Sequence, residues 1–458
     1  MEELTLEYLS NTIESKNVSA LRKIFDEYNS VDIAELLQGL SVNKAIFAFT
    51  MVPSSLTADV FAYLNDEYQQ KVIELLKAAD LKKILEELYS DDIVDVVEQM
   101  PANIVRKILK NVDKSVRADI NKLLSYKDDS AGTLMNIEYV ELKQNDTCKS
   151  AIEKIRKLAS EVETISYSYV VNSKRDLVGY VALKEILKRE DDIAIVDIME
   201  KDIISVNVDD DKEDVAATFK KYDLSSIAVV NKDNKMLGIV TSDDIIDVIE
   251  QEATEDIEKM ATMIPLEEDY FKVSAFSMFK KRIGWLIILM LASTLSAMIL
   301  SSAESAIATV AALATFMPMI TATAGNAGSQ TTALLIRGLS LGTIECKDFL
   351  KALTKELLVG LMVGICLGVA CYGWLWVEQS IGIVNVDTNT HYVFLMVAIS
   401  ACIVVMVAKC IATALPIVAK LLKLDPALMA GPLVTTIADA IAILIYFTIA
   451  KQFLLPLF

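Results

Sequence analysis

At 458 residues the chain exceeds what one hydrophobic core usually serves, so two or more domains are expected. Its charge is uneven: residues 280–458 carry 11 Lys and Arg against 8 Asp and Glu, which leaves 33 against 55, about −22, in residues 1–279. Such acidity excludes nucleic acid as a partner, because phosphate binding wants a basic face. The single histidine, His391, weighs against the zinc and triad constellations of most hydrolases.

The opening MEELTLEYLSNTIESK has no basic start followed by an apolar core, so no cleavable signal peptide is expected and the front half should stay in the cytosol. Residues 32–64 lie over residues 92–124 at a gap-free offset of 60 that brings Ala58-Asp59 onto Ala118-Asp119. Apolar positions recur there at spacings of three and four, which predicts a stack of short helices, an α-helical solenoid over 1–128. A second repeat has an offset of 59: Tyr169-Val170-Val171-Asn172 and Val178-Gly179-Tyr180-Val181 match Ala228-Val229-Val230-Asn231 and Leu237-Gly238-Ile239-Val240. Each copy reads as strand, polar turn, strand and helix start, a small α/β module used twice over 129–250. The pair resembles tandem CBS domains, which often grip the ribose of adenine nucleotides such as ATP. The resemblance assigns that grip to Gly238, Thr241 and Asp244, although Thr241 and Asp244 read equally well as a helix cap.

After a connecting helix over 251–275, residues 276–458 form a predicted transmembrane domain. Five apolar stretches can span about 30 Å of hydrocarbon, near 283–301, 305–337, 354–377, 392–415 and 427–450. Connections near 301–305 and 378–391 lack Lys and Arg, whereas Lys280, Arg337, Lys347, Lys351, Lys420 and Lys423 fall on the other side. The N-terminus is therefore expected inside and the C-terminus outside, with Lys409 snorkelling to the inner face. The second stretch is too long for one straight span, so it should break or overshoot, with Gly325-Asn326-Ala327-Gly328-Ser329-Gln330 at the cytoplasmic mouth. A second break, Asp425 to Pro432, should meet it at the same level, with Asp425 capping the fifth helix. Cysteines Cys148, Cys346, Cys366, Cys371, Cys402 and Cys410 show no CxxC pairing and read as reduced fillers.

Asp439 falls near the bilayer midplane, and a carboxylate there usually marks an ion pathway. Thr435 and Thr436, one turn away, add hydroxyl oxygens, and oxygen-only surroundings suit hard cations. Mg²⁺ keeps most of its water and is held by one or two carboxylates, so one Asp per subunit, doubled by a two-fold axis, fits it. Gly360, Gly364 and Gly368 form a ridge suited to close helix contact, either within one subunit or between two.

In order along nearly the whole chain, these features resemble the MgtE family of magnesium channels. The residues that carry the resemblance are Lys281-Arg282-Ile283-Gly284-Trp285-Leu286, Pro318-Met319-Ile320 with 325–330, and Asp425-Pro426-Ala427-Leu428 with 431–439. The sequence departs from the family at Thr321 to Ala324, where more glycine is usual, and at Thr133. The resemblance implies a homodimer in the plasma membrane whose pore carboxylate, Asp439, receives hydrated Mg²⁺, with Asn326, Thr435 and Thr436 beside it. It further implies closure when cytosolic Mg²⁺ fills acidic sites, here matched by Asp91, Asp95, Asp243, Asp247, Glu250, Glu255 and Glu258. Like charges on one helix face repel mildly, and a bridging divalent ion would reverse that sign. Two other functions fit the same residues: a non-conducting sensor of Mg²⁺ or nucleotide, and a proton-coupled divalent-cation exporter using Asp439.

Overall fold

The 60-residue repeat reappears in the helix boundaries of the computed structural model. Ser30–Gln38, Val42–Met51 and Ser54–Ala62 return as Ser90–Glu98, Ala102–Asn111 and Lys114–Leu123. The helices are short because each apolar run meets a residue that starts a new one: Asn17, Asn29 and Asn65 accept from the backbone N–H of Ala20, Val31 and Tyr68, and Pro53 and Pro101 occupy cap positions. Their inner faces share one core running from Leu9 to Ile120. The structure describes residues 4–98, 100–266, 270, 271, 273–303, 312–384, 386, 389–429, 431–454 and 456. The chain divides into two compact units, Met1–Ile249 and Glu250–Phe458.

Within the first unit, the 59-residue repeat becomes two three-stranded sheets. Strands β1 (Tyr139–Lys143), β2 (Thr164–Val171) and β3 (Leu177–Ala182) make one, and β4 (Ser205–Asn207), β5 (Ser226–Val230) and β6 (Met236–Thr241) the other. In each the first pair is parallel and the second antiparallel, with Val170 opposite Gly179 and Val229 opposite Gly238. The repeated glycine is needed for space. A Cβ on Gly179 would lie 2.6 Å from the Glu200 carbonyl oxygen, and one on Gly238 would lie 2.6 Å from that of Asn136. Gly238 thereby lets the segment carrying Asn136 bridge to Ile239. Val94 packs with Leu123, Met135, Val240 and Val248, which joins the helix Ser90–Glu98 to the second sheet module.

The second unit is helical. Among the described residues, four helices are long and apolar enough to cross a membrane: Ala275–Ser302, Cys346–Ile381, Thr390–Leu421 and Pro426–Phe453. The stretch expected as a fifth, the helix Ala312–Ser340, is not among them, because Asn326, Ser329, Gln330 and its threonines dilute its apolar character. Residues 304–311, expected at its outer end, lie outside the described residues. The expected break at Gly325 to Gln330 does not occur, and those residues continue the helix. Glycine is tolerated there because neighbouring helices pack against it: a Cβ on Gly325 would lie 2.8 Å from Thr435 Cγ2, and one on Gly328 3.0 Å from Val434 Cγ1. Asp425 caps not the last helix but the 3₁₀ turn Pro426–Met429, accepting from Ala427 N–H at 2.8 Å, and the helix proper starts at Gly431.

The Gly360, Gly364 and Gly368 ridge packs within the chain. Added Cβ atoms would lie 3.2 Å from Met406 Cα, 2.8 Å from the Cys402 carbonyl oxygen and 3.0 Å from that of Ala398. Among the described residues all six cysteines are free thiols.

Candidate functional site

Two groups of polar residues contain residues expected from sequence, one group in each unit. In the helical unit, Thr435, Thr436 and Asp439 follow one another at helical spacing on Gly431–Ile449 and share a face. Thr435 packs on Gly325, and its hydroxyl lies 3.4 Å from Ser329 Oγ. The hydroxyls of Thr435 and Thr436 donate back to the carbonyls of Gly431 and Pro432 at 3.0 and 2.8 Å, leaving their lone pairs available. Asn326 is exposed at the flank of this contact, and Asp439 lies one turn, about 6 Å, beyond Thr435 along the same face. Among the described residues no donor or cation pairs with the Asp439 carboxylate. One amide, two hydroxyls and this carboxylate offer oxygen atoms of the kind that hard divalent cations accept.

Lys409 does not snorkel. Its side chain is only 5 % exposed, and its ammonium reaches Glu356 Oε2 at 3.2 Å and Thr331 Oγ1 at 2.9 Å. Depth along one helix suggested snorkelling; a carboxylate 53 residues earlier in the chain turns the side chain inward.

The acidic group is built by the helix Ser90–Glu98, the segment before β1, the residue before β2 and the first turn of Ser242–Met260. Buried Asn136 is its hub: Nδ2 donates to Asp91 Oδ1 and Oδ2 at 3.1 and 3.0 Å and to Glu163 Oε2 at 3.2 Å. One neutral amide thus serves two carboxylates. Burial first, then the Asp92 charge, pushes the Asp91 carboxyl up to about 7. Burial followed by Asp244 raises Asp92 to about 6 and Asp95 to about 8. Burial followed by Asp91 raises Asp244 to about 7 and Glu163 to about 8. The direction is common to all five: carboxylates packed without a countercharge hold protons far above their usual range. Among the described residues, no three such groups converge closely enough to hold a metal ion as they stand.

The expected acidic residues divide. Asp91 and Asp95 enter the cluster, and Asp243 sits at its rim, adding charge to Asp92 and Glu163. Asp247 and Glu250 are exposed further along the helix. Glu255 is paired with Lys259, and Glu258 Oε2 accepts from Leu266 N–H at 2.7 Å. Lys259 also meets Asp425 at 2.8 Å, and Asp256 accepts from Ser340 Oγ at 3.2 Å. The end of this helix is therefore committed to partners in the helical unit instead of offering a free acidic stripe. Of the ribose-grip residues, Thr241 turns its hydroxyl onto Asp243 and Asp244, and Asp244 belongs to the cluster. Asn136, Glu163 and Asp92 were not singled out in the sequence. Nothing local marks Asn136 or Glu163, whereas Asp92, between Asp91 and Ile93 in a first helical turn, could have been read as a companion of Asp91.

Comparison with known proteins agrees with this architecture. Residues 317–449 match a family described as MgtE, divalent cation transporter; 28–129 match the MgtE intracellular N domain, and 195–251 a CBS domain. The chain is 32 % identical over 460 residues to the magnesium transporter MgtE of Thermus thermophilus, covering 99 % of each chain. It is 31 % identical to that of Bacillus subtilis, covering 94 % of each. A crystal structure of the soluble part of a magnesium transporter is 31 % identical, with a TM-score of 0.52, and covers 54 % of this chain and 98 % of its own. A second, the cytosolic domain of the Mg²⁺ channel MgtE in complex with ATP, is 30 % identical, with a TM-score of 0.50 over 53 % of this chain and 100 % of its own. End-to-end identity to two transporters, together with the three domains in order, means that this chain belongs to the MgtE family of magnesium transporters.

Proposed function

We propose that the chain is a magnesium channel that admits Mg²⁺ through the face formed by Asn326, Thr435, Thr436 and Asp439. The observation that carries this reading is Asp439: a carboxylate inside a helix of apolar residues, one turn from two threonine hydroxyls and without a cationic partner among the described residues. Lys409, the buried lysine of the neighbouring helix Thr390–Leu421, is already taken by Glu356. Hydrated Mg²⁺ would rest on the Asp439 oxygens through its retained waters, with the hydroxyls and the Asn326 amide ordering that shell. In this reading the helix Ala312–Ser340 is a fifth span, 29 residues long, its polar side turned to the ion and to a second subunit. The working domains are a helical solenoid over 1–128, a CBS pair over 129–250, a connecting helix over 251–275 and a channel over 276–458. Positive residues on one side support a cytoplasmic N-terminus, an outer C-terminus and uptake into the cell.

Cytosolic Mg²⁺ is proposed to close the channel by replacing protons in the cluster of Asp91, Asp92, Asp95, Glu163 and Asp244, with Asp243 and Asp247 at its rim. Divalent charge there would favour the packed arrangement of the helix Ser90–Glu98 on the CBS modules. The helix Ser242–Met260 begins in that cluster, and Lys259 in its last turn pairs with Asp425, which would give it a hold on the start of the last span. Adenine nucleotide is the second proposed ligand, at Gly238, Thr241 and Asp244. Because Asp244 serves both ligands, their occupancies would be coupled.

Mg²⁺ uptake by liposomes containing only this protein tests the pore. Asp439→Ala should abolish uptake in protein that still folds, whereas Asp439→Asn should keep part of the flux and lose discrimination against other divalent ions. Parental uptake by Asp439→Ala would overturn the assignment, and uptake that requires a pH gradient would favour proton-coupled exchange.

A further inference from the structure

The helical unit holds a second carboxylate that the ion pathway does not use. Glu356 lies on Phe349–Ile381, its side chain 12 % exposed, and Lys409 lies on Thr390–Leu421, twelve residues or about 18 Å from that helix's end. Lys409 Nζ donates to Glu356 Oε2 and to Thr331 Oγ1, and the Thr331 hydroxyl donates to the same Oε2 at 2.9 Å. Three groups on three helices thus close a ring. Gly360 makes room for it, since a Cβ there would lie 3.3 Å from Lys409 Cδ.

A buried ion pair is a poor device for stability alone, because apolar residues of the same volume often serve as well or better. In a membrane, ionisable side chains are rarer still and mark function. The ring's third member indicates what that function is. Thr331 is fully buried on the same helix as exposed Asn326, five residues or about 7 Å further along. One residue on, Thr332 is also fully buried, and its hydroxyl lies 3.5 Å from the Ala412 carbonyl oxygen. Rotation of that helix would move Asn326 relative to Asp439, and the ring opposes rotation with a directional, charge-assisted set of bonds where packing of small residues alone offers little.

We propose that Lys409, Glu356 and Thr331 are positioning residues: their ring holds the helix Ala312–Ser340 in the rotation that presents Asn326 to the ion, without touching the ion. The inference rests on the pore reading given above. Mg²⁺ uptake by proteoliposomes, measured beside the thermal unfolding midpoint of the same preparations, tests it. Glu356→Gln and Lys409→Met should each lower uptake at least about tenfold. The exchanged pair, Glu356→Lys with Lys409→Glu, should recover a substantial part of it. The doubly neutral variant, Glu356→Leu with Lys409→Met, should regain the parental unfolding midpoint but not the parental uptake, a split that a merely structural pair would not produce. Thr331→Val keeps shape and ion pair and should fold in any case, and it should raise the half-saturating Mg²⁺ concentration about three- to tenfold. Parental uptake in the doubly neutral variant, or unchanged half-saturation in Thr331→Val, would overturn the proposal. Asp439→Ala in the same assay separates the two readings: its loss of uptake beside a parental doubly neutral variant rejects the ring alone, and its parental uptake rejects the pore.

Discussion

Raising the pH without divalent ions should pull the helix Ser90–Glu98 away from the two sheet modules, and Mg²⁺ should restore the contact. The carboxyls concerned are Asp91, Asp92, Asp95, Glu163 and Asp244, held between about 6 and about 8 chiefly by burial and then by one another. Packed carboxyls with raised values bind protons more tightly than separated ones. Their contribution to packing is therefore fully present below about pH 4 and is lost as pH rises through about 6 to 8. Holding Asp91 near 7 instead of 3.8 means that ionising it in place costs about 4 kcal/mol. Two such groups exceed the roughly 5.5 kcal/mol that carries a two-state equilibrium from almost wholly packed to almost wholly open. Amide exchange of residues 90–98 in the full chain, corrected for the intrinsic effect of pH, reads the change. Protection should be high at pH 5.5, fall at pH 8.5, and return at pH 8.5 with millimolar Mg²⁺. Equal protection at both pH values without divalent ions, or a fall toward acid, would refute the reasoning.

Asp91→Asn with Asp95→Asn should flatten that pH dependence and keep residues 90–98 protected at pH 8.5 without Mg²⁺, as the same exchange measurement would show. Gly325→Val and Gly328→Val should each stop Mg²⁺ uptake, because the spaces their Cβ atoms would take are filled by Thr435 and Val434 at 2.8 and 3.0 Å. Lys259→Met leaves Glu255 and Asp425 without their shared cation, and patch recordings should show residual opening at Mg²⁺ concentrations that silence the parent.

Both internal repeats were legible because they run without gaps: Ser30 and Ser90, or Gly179 and Gly238, occupy equivalent structural positions at the expected offsets. Asp439 was legible because a carboxylate among apolar residues stands out in any window of sequence. The run from Gly325 to Gln330 misled, since its composition signals a break in water, whereas helix neighbours and backbone-bonded hydroxyls sustain it here. Lys409 and the hub at Asn136 were illegible for another reason. Their partners, Glu356 and Asp91, lie 53 and 45 residues away, and a pairing across helices leaves no periodic trace.

The glycine ridge of the helix Phe349–Ile381 has a consequence for assembly. Its close-approach surface is spent on Met406, Cys402 and Ala398 of the same chain, so it has nothing left to offer a neighbour. On the helix Ala312–Ser340, Asn326 and Gln330 are two exposed amides, and if that helix is the fifth span proposed above, a lone protomer would set them against hydrocarbon that cannot solvate them. In the proposed homodimer, oligomerisation and pore formation would then be a single event: covering those amides with a second copy would create the wet passage, and a subunit stranded in the bilayer would be unfavourable as well as inactive.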